Sequence, residues 1–177
     1  MISQSINLLD NRIANIAQFH ELNSLMYETG EMIDLKNIEK ETRRMLDEYE
    51  NLKNIELNLH ACNLLSLNIS GEIIRKFLSL FIKAIAHFEA GNQASVSLHF
   101  SKFNSNLKAV IELSGFYCIP ELRGRLEDNY YSIEAAIKDD SVLRFYILYN
   151  HIVNYDGKIA YTFLENGVLS CQVLIPL

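Results

Sequence analysis

The amino-acid sequence predicts an α+β fold: an N-terminal bundle helix followed by a two-layer α/β sandwich. Three observations lead there. Helical and alternating patterns segregate along the chain, and the alternating runs come in pairs joined by short turn signals. Only 7 Gly and 2 Pro occur in 177 residues, too little punctuation for a loop-rich all-β fold. Apolar residues make up 49% and charged residues 21%, values of a packed globular core and not of a disordered chain.

The first predicted element is a helix over residues 2 to 26. Ile2, Ile6, Leu9, Ile13 and Ile16 form one narrow stripe on it, the seam of a coiled coil or helical bundle. One helix cannot bury a seam alone, and the heptad-like spacing favours a partner helix. Gly30 and Glu31 end the pattern, so residues 1–31 are expected to be a helical dimerisation segment and 32–177 a separate folded domain. Asp34 is suited to cap the next helix, whose apolar face carries Leu35, Ile38, Met45, Leu46 and Tyr49. Asn54 to His60 alternates as a half-buried strand. Ser70 then caps a helix over 71 to 88 that is apolar nearly all round, which predicts a position in the core against a sheet.

Two alternating runs follow, Ser95 to Phe100 and Leu107 to Leu113, joined by a turn at Asn104-Ser105-Asn106. Residues 119 to 140 are polar and mixed, a stretch of short helices and loop. Asp140 or Ser141 opens a helix to about Tyr155, closed by Gly157. Lys158 to Leu164 and Val168 to Ile175 form a last hairpin, with Asn166-Gly167 as a two-residue turn signal.

The formal net charge of −6 argues against bulk nucleic-acid binding, which needs a basic surface. Cys62, Cys118 and Cys171 are far apart and odd in number, with neither metal spacing nor a disulfide framework, so free thiols in a reducing compartment are expected. No signal-peptide pattern opens the chain. Its most apolar stretch, 73 to 88, is broken by Arg75, Lys76 and Lys83, which predicts a soluble cytoplasmic protein with no membrane span. His60, His87, His99 and His151 show no metal spacing, so neither a metal nor another cofactor is expected. Asp47-Glu48-Tyr49-Glu50 reads as a solvated helix end. Arg43-Arg44 reads as a solvated face or as a contact for an acidic partner. Tyr130-Tyr131 and Phe145-Tyr146 read as packing residues.

Several strings resemble the ATPase domain of sensor histidine kinases: Asp34-Leu35-Lys36, Ile55-Glu56-Leu57, the run from Phe77 to Ile85, and Asp156-Gly157-Lys158-Ile159. The resemblance covers about residues 34 to 177 and implies a degenerate member of that fold. Kinases need an asparagine on the core helix to hold magnesium on the nucleotide phosphates, and the matching position is Lys83. Their Asp-x-Gly-x-Gly loop is replaced by Ser114-Gly115-Phe116-Tyr117-Cys118-Ile119-Pro120. Their second glycine box falls on Ser141-Val142-Leu143-Arg144-Phe145-Tyr146, which has no glycine. A glycine cradle cannot be rebuilt from β-branched and aromatic residues, so ATP binding by the usual route is not expected.

The chain also resembles histidine phosphotransferases of the ChpT type, which keep this fold without nucleotide binding. Arg12 to Phe19 looks like the second helix of their bundle hairpin, leading into Ile33-Asp34-Leu35, and Ile175-Pro176 fits their close. The resemblance implies a bacterial phosphorelay protein, homodimeric through its N-terminal helix, with response-regulator receiver domains as partners. In that family the accepting histidine lies on the first bundle helix, which here would lie upstream of Met1 or be lost. His20-Glu21-Leu22 resembles the acceptor box of histidine kinases, and an exposed imidazole beside a carboxylate can take a phosphoryl group. His20 also falls on the apolar seam, where it would be structural. The alternative function is a non-catalytic dimeric module that binds response regulators.

Overall fold

The computed structural model describes residues 35–62, 71–128, 139–165 and 167–176. The predicted helix over 2 to 26 with His20, the caps at Asp34 and Ser70, and Tyr130-Tyr131 lie outside the described residues. The elements run α1 (Leu35–Asp47), β1 (Glu56–Cys62), α2 (Gly71–Ile85), β2 (Glu89–Phe103), β3 (Asn106–Tyr117), α3 (Pro120–Glu127), α4 (Asp140–Val153), β4 (Lys158–Phe163) and β5 (Leu169–Pro176). The strands form one sheet in the order β1-β2-β3-β5-β4. β1 runs parallel to β2, with α2 as the crossover, and the other pairs are antiparallel.

The alternation read from the sequence is the burial seen in space. Ala94, Val96, Leu98 and Phe100 of β2 and Leu107, Ala109, Ile111 and Leu113 of β3 all turn inward. α2 fills the layer above them. Ile74, Phe77, Leu78, Phe81, Ile82 and Ile85 are each at most 3% exposed, so most of its circumference is covered. Burying one such side chain is worth about 1.5–3 kcal/mol against leaving it in water. α1 and α4 each pack on α2. The other sheet face is open, carrying half-exposed Ser97 and His99, Lys108 and Glu112.

The structure corrects four local expectations. The first hairpin is longer than the alternating runs, because Glu89 and Ala90 pair with Tyr117 and Phe116 beyond an irregularity at 91–94. The helix α4 is capped by Asp139, one residue earlier than expected, and its carboxylate accepts from Ser141 N at 3.0 Å. At the other end of α4, Asp156 and not Gly157 adopts the left-handed conformation, with φ of 55°. Gly157 is needed for space: a Cβ there would lie 2.7 Å from Leu174 O and 2.8 Å from Ile152 O. The last hairpin closes one residue wider than a two-residue turn, with Gly167 N donating to Leu164 O and Leu164 N to Val168 O. Gly167 takes a φ of 79°, which suits glycine.

His151 of α4 is the one buried histidine among the described residues, 2% exposed, with Nε2 3.5 Å from Ile73 O and its ring edge-on to Tyr155. Burial lowers its pKa from 6.5 to about 4, against a smaller opposing effect of the Ile73 carbonyl. The unfolded chain therefore binds more protons than the folded one between those values, and stability falls as pH drops through that window. Urea titrations are expected to show about 3 kcal/mol lost to this residue between pH 7 and pH 4. His151→Phe is expected to flatten that slope.

Candidate functional site

The site is built where the C-terminal end of α2 meets the N-terminal end of α4. Arg144 projects from the second turn of α4. Its Nη1 donates to Lys83 O at 3.2 Å, and its Nε donates to Asp140 Oδ2 at 3.2 Å. The Asp140–Arg144 pair is an i,i+4 contact that helix geometry favours. The bond to Lys83 spans the two helices and fixes their ends against each other. His87, just beyond α2, points Nε2 at the same Asp140 Oδ2, 3.8 Å away. Asn51 holds this turn from below, its Nδ2 donating to Ala86 O at 3.0 Å and Phe88 O at 2.9 Å.

The electrostatics follow from crowding. Burial lowers the Lys83 pKa, and the neighbouring Lys76 and Arg144 cations lower it further. Burial and Arg144 lower His87, while Asp140 and Asp139 pull it back up. Tyr49 lies within electrostatic reach of Arg144, and burial raises its phenol above the ordinary value.

The sequence positions matched to nucleotide boxes have other uses. Lys83 is half-buried in the last turn of α2, with its carbonyl taken by Arg144. Ser141 to Tyr146 are helical, not a loop, and Val142, Leu143 and Phe145 are buried. Phe145 stacks on Phe88 at 5.9 Å and meets the edge of Tyr161 at 5.5 Å. The first turn of α4 already faces the Asp139 carboxylate, which supplies the negative charge that a helix N-terminus favours. Ser114 to Tyr117 belong to β3. Gly115 has a φ of 73°, and a Cβ there would sit 3.0 Å from Ala94 Cα and 3.1 Å from Gln93 O. Its missing side chain thus makes room for the neighbouring strand of this chain.

Other candidates are dispersed. Arg43 Nη1 donates to Ile55 O at 2.8 Å and is structural, while Arg44 is exposed. His60 and His99 are brought together across the parallel pair, rings stacked with centroids 4.7 Å apart, a contact their sequence spacing does not reveal. Among the described residues no group of three or more His, Cys, Asp or Glu is placed to hold a metal ion. Cys118 and Cys171 are free thiols; burial raises Cys118 to about 11 and Cys171 further, so both stay protonated at neutral pH. No helix among the described residues is long and apolar enough to cross a membrane. The His87–Asp140–Arg144 group escaped sequence reasoning.

Several solved structures share this architecture. Acinetobacter baumannii histidine kinase AdeS aligns with a TM-score of 0.65 at 12% identity, over 98% of this chain and 80% of that one. The catalytic domain of histidine kinase ThkA aligns with a TM-score of 0.61 at 20% identity, over 85% of this chain and 97% of that one. The fold is that of the histidine kinase ATPase domain. Full-length ShkA, in complex with AMPPNP, aligns with a TM-score of 0.70 at 14% identity, over 98% of this chain and 36% of that one. At these identities the likeness to the histidine kinases is one of fold. No family model matches the chain, and neither does any curated protein.

Gly115→Ala tests the close approach of β2 and β3. The substitution combines a left-handed backbone with a contact at 3.0 Å to backbone. It is expected to destabilise the domain by about 2 kcal/mol in urea titration, whereas Gly124→Ala, open to solvent on α3, is expected to be neutral or slightly stabilising.

Proposed function

We propose that this chain is a phosphorelay protein of the ChpT type, a histidine phosphotransferase of a bacterial two-component pathway that does not bind ATP. The observation that carries the reading is the clamp of Arg144 on Lys83 O and Asp140. It ties α2 to α4 at the two positions that the resemblance assigns to magnesium and phosphate binding. The Asp139 cap and the packing of Gly115 on Ala94 support the same reading from the other two sides. A kinase-type fold that spends these positions on its own contacts retains its outer surface for partners.

In this reading a phosphorylated receiver domain docks on a homodimer joined through residues 1–31. The phosphoryl group passes in line from the receiver aspartate to a histidine and back, with magnesium supplied by the receiver. His20 is the acceptor on the bundle helix, and Glu21 steers its proton. Overall negative charge does not prevent docking on an acidic receiver, because apolar contact and local complementarity set the affinity.

Transfer of label from a phosphorylated receiver domain tests the proposal. Acid-labile, base-stable label on this chain is expected, and mapping it to His20 would make that residue the bundle acceptor. A stable complex with no label on the chain would instead establish a non-catalytic binding module.

A further inference from the structure

We propose that His87 is a phosphoryl-accepting residue, served by Asp140 and Arg144, in addition to the acceptor proposed at His20. The inference rests on the phosphorelay reading and names a second place where its chemistry can occur. Three features of the geometry point there.

The first is access combined with fixity. The His87 side chain is 41% exposed, so an incoming phosphoryl group can reach it. Its backbone is nevertheless held, because the carbonyls on either side, Ala86 O and Phe88 O, both accept from Asn51 Nδ2. The second is the carboxylate. Asp140 Oδ2 lies 3.8 Å from Nε2, beyond hydrogen-bond distance but near enough for its negative charge to act on the ring. In the proposed reaction Nε2 carries the proton and Nδ1, on the other side of the ring, offers its lone pair. The third is the guanidinium of Arg144, anchored on the same Asp140 Oδ2, which supplies fixed positive charge beside the ring.

Burial and Arg144 lower the His87 pKa below its ordinary value, so the imidazole is a neutral nucleophile at neutral pH. Asp139 and Asp140 act in the opposite direction. They stabilise the cationic ring once phosphorus is attached.

The donor is an acyl phosphate, the chemical class of a phosphorylated receiver aspartate. The Nδ1 lone pair forms the N–P bond, the P–O bond to the acyl group breaks, and its electron pair leaves on the carboxylate. Nε2 keeps its proton, so the product is a phosphorylated imidazolium paired with Asp140. Transfer back to a carboxylate reverses the same steps.

The test uses the full chain with acetyl phosphate, a small acyl phosphate that needs no docking surface, and with a phosphorylated receiver domain. Wild type, His20→Ala, His87→Gln and Asp140→Asn are compared by acid-labile label and by mapping of the phosphorylated peptide. Label that survives His20→Ala, maps to the segment containing His87 and disappears in His87→Gln is expected. Asp140→Asn should slow labelling on the order of tenfold. It should leave the helix capped, because the cap is Asp139. An unchanged thermal unfolding midpoint for His87→Gln confirms that loss of label is not loss of fold. Label confined to His20 overturns the His87 site and leaves the phosphotransferase reading standing. Label on no variant from either donor overturns both.

Discussion

The structure depends on the burial of α2. Its apolar residues take up most of the circumference and leave one polar stripe of Glu72, Arg75, Lys76, Ser79 and Lys83, so the helix must be covered by the sheet below and by neighbours on its flanks. α1 and α4 supply that cover, and the crossover through α2 places β1 parallel to β2. A buried helix of this kind fixes the axial position of whatever packs on it, because close-packed side chains leave little freedom to slide. Once α4 is seated, its first turn meets the last turn of α2. Arg144 then reaches Lys83 O, and Asp140 comes to face His87. Core packing thus sets the helix ends of the candidate site, and the turn after α2, held by Asn51, places His87 beside them.

On the proposed reading, the same packing lets a kinase-type fold be retained without the kinase's ligand. A glycine-rich cradle leaves backbone amides and space for phosphates to satisfy. Here the amide at the start of α4 is satisfied by Asp139, and the space beside Gly115 is occupied by Ala94 and Gln93. The positive charge of Arg144 is balanced by Asp140 within the chain. At Asp139, Gly115 and Arg144 the chain supplies its own contacts, so on the proposed reading the domain needs no nucleotide to be complete.

Much of this was legible in the sequence, for identifiable reasons. The strand periods of 95–100 and 107–113 follow from burial on one face, and the helix expected over 71 to 88 is found at 71–85, ended by the turn that carries His87. The extension of the first hairpin was not legible, because Gly91-Asn92-Gln93 interrupts the alternation where the strands bulge. Asp139 and Asp140 are both good caps, and only the backbone shows which one turns outside the helix. The link from Arg144 to Lys83 joins residues 61 apart, and the stacking of His60 on His99 needs the parallel register of β1 on β2. Contacts of this kind come from tertiary placement and leave no local signal.

On the proposed reading the domain does not bind ATP, because the positions matched to the nucleotide boxes make contacts within the chain. Thermal unfolding of the full chain with and without millimolar magnesium-ATP tests it most directly, because a ligand that binds only the folded state raises the midpoint. The account predicts no shift. A rise of several degrees, saturating with nucleotide concentration and abolished by a substitution at Lys83 or Arg144, would contradict it.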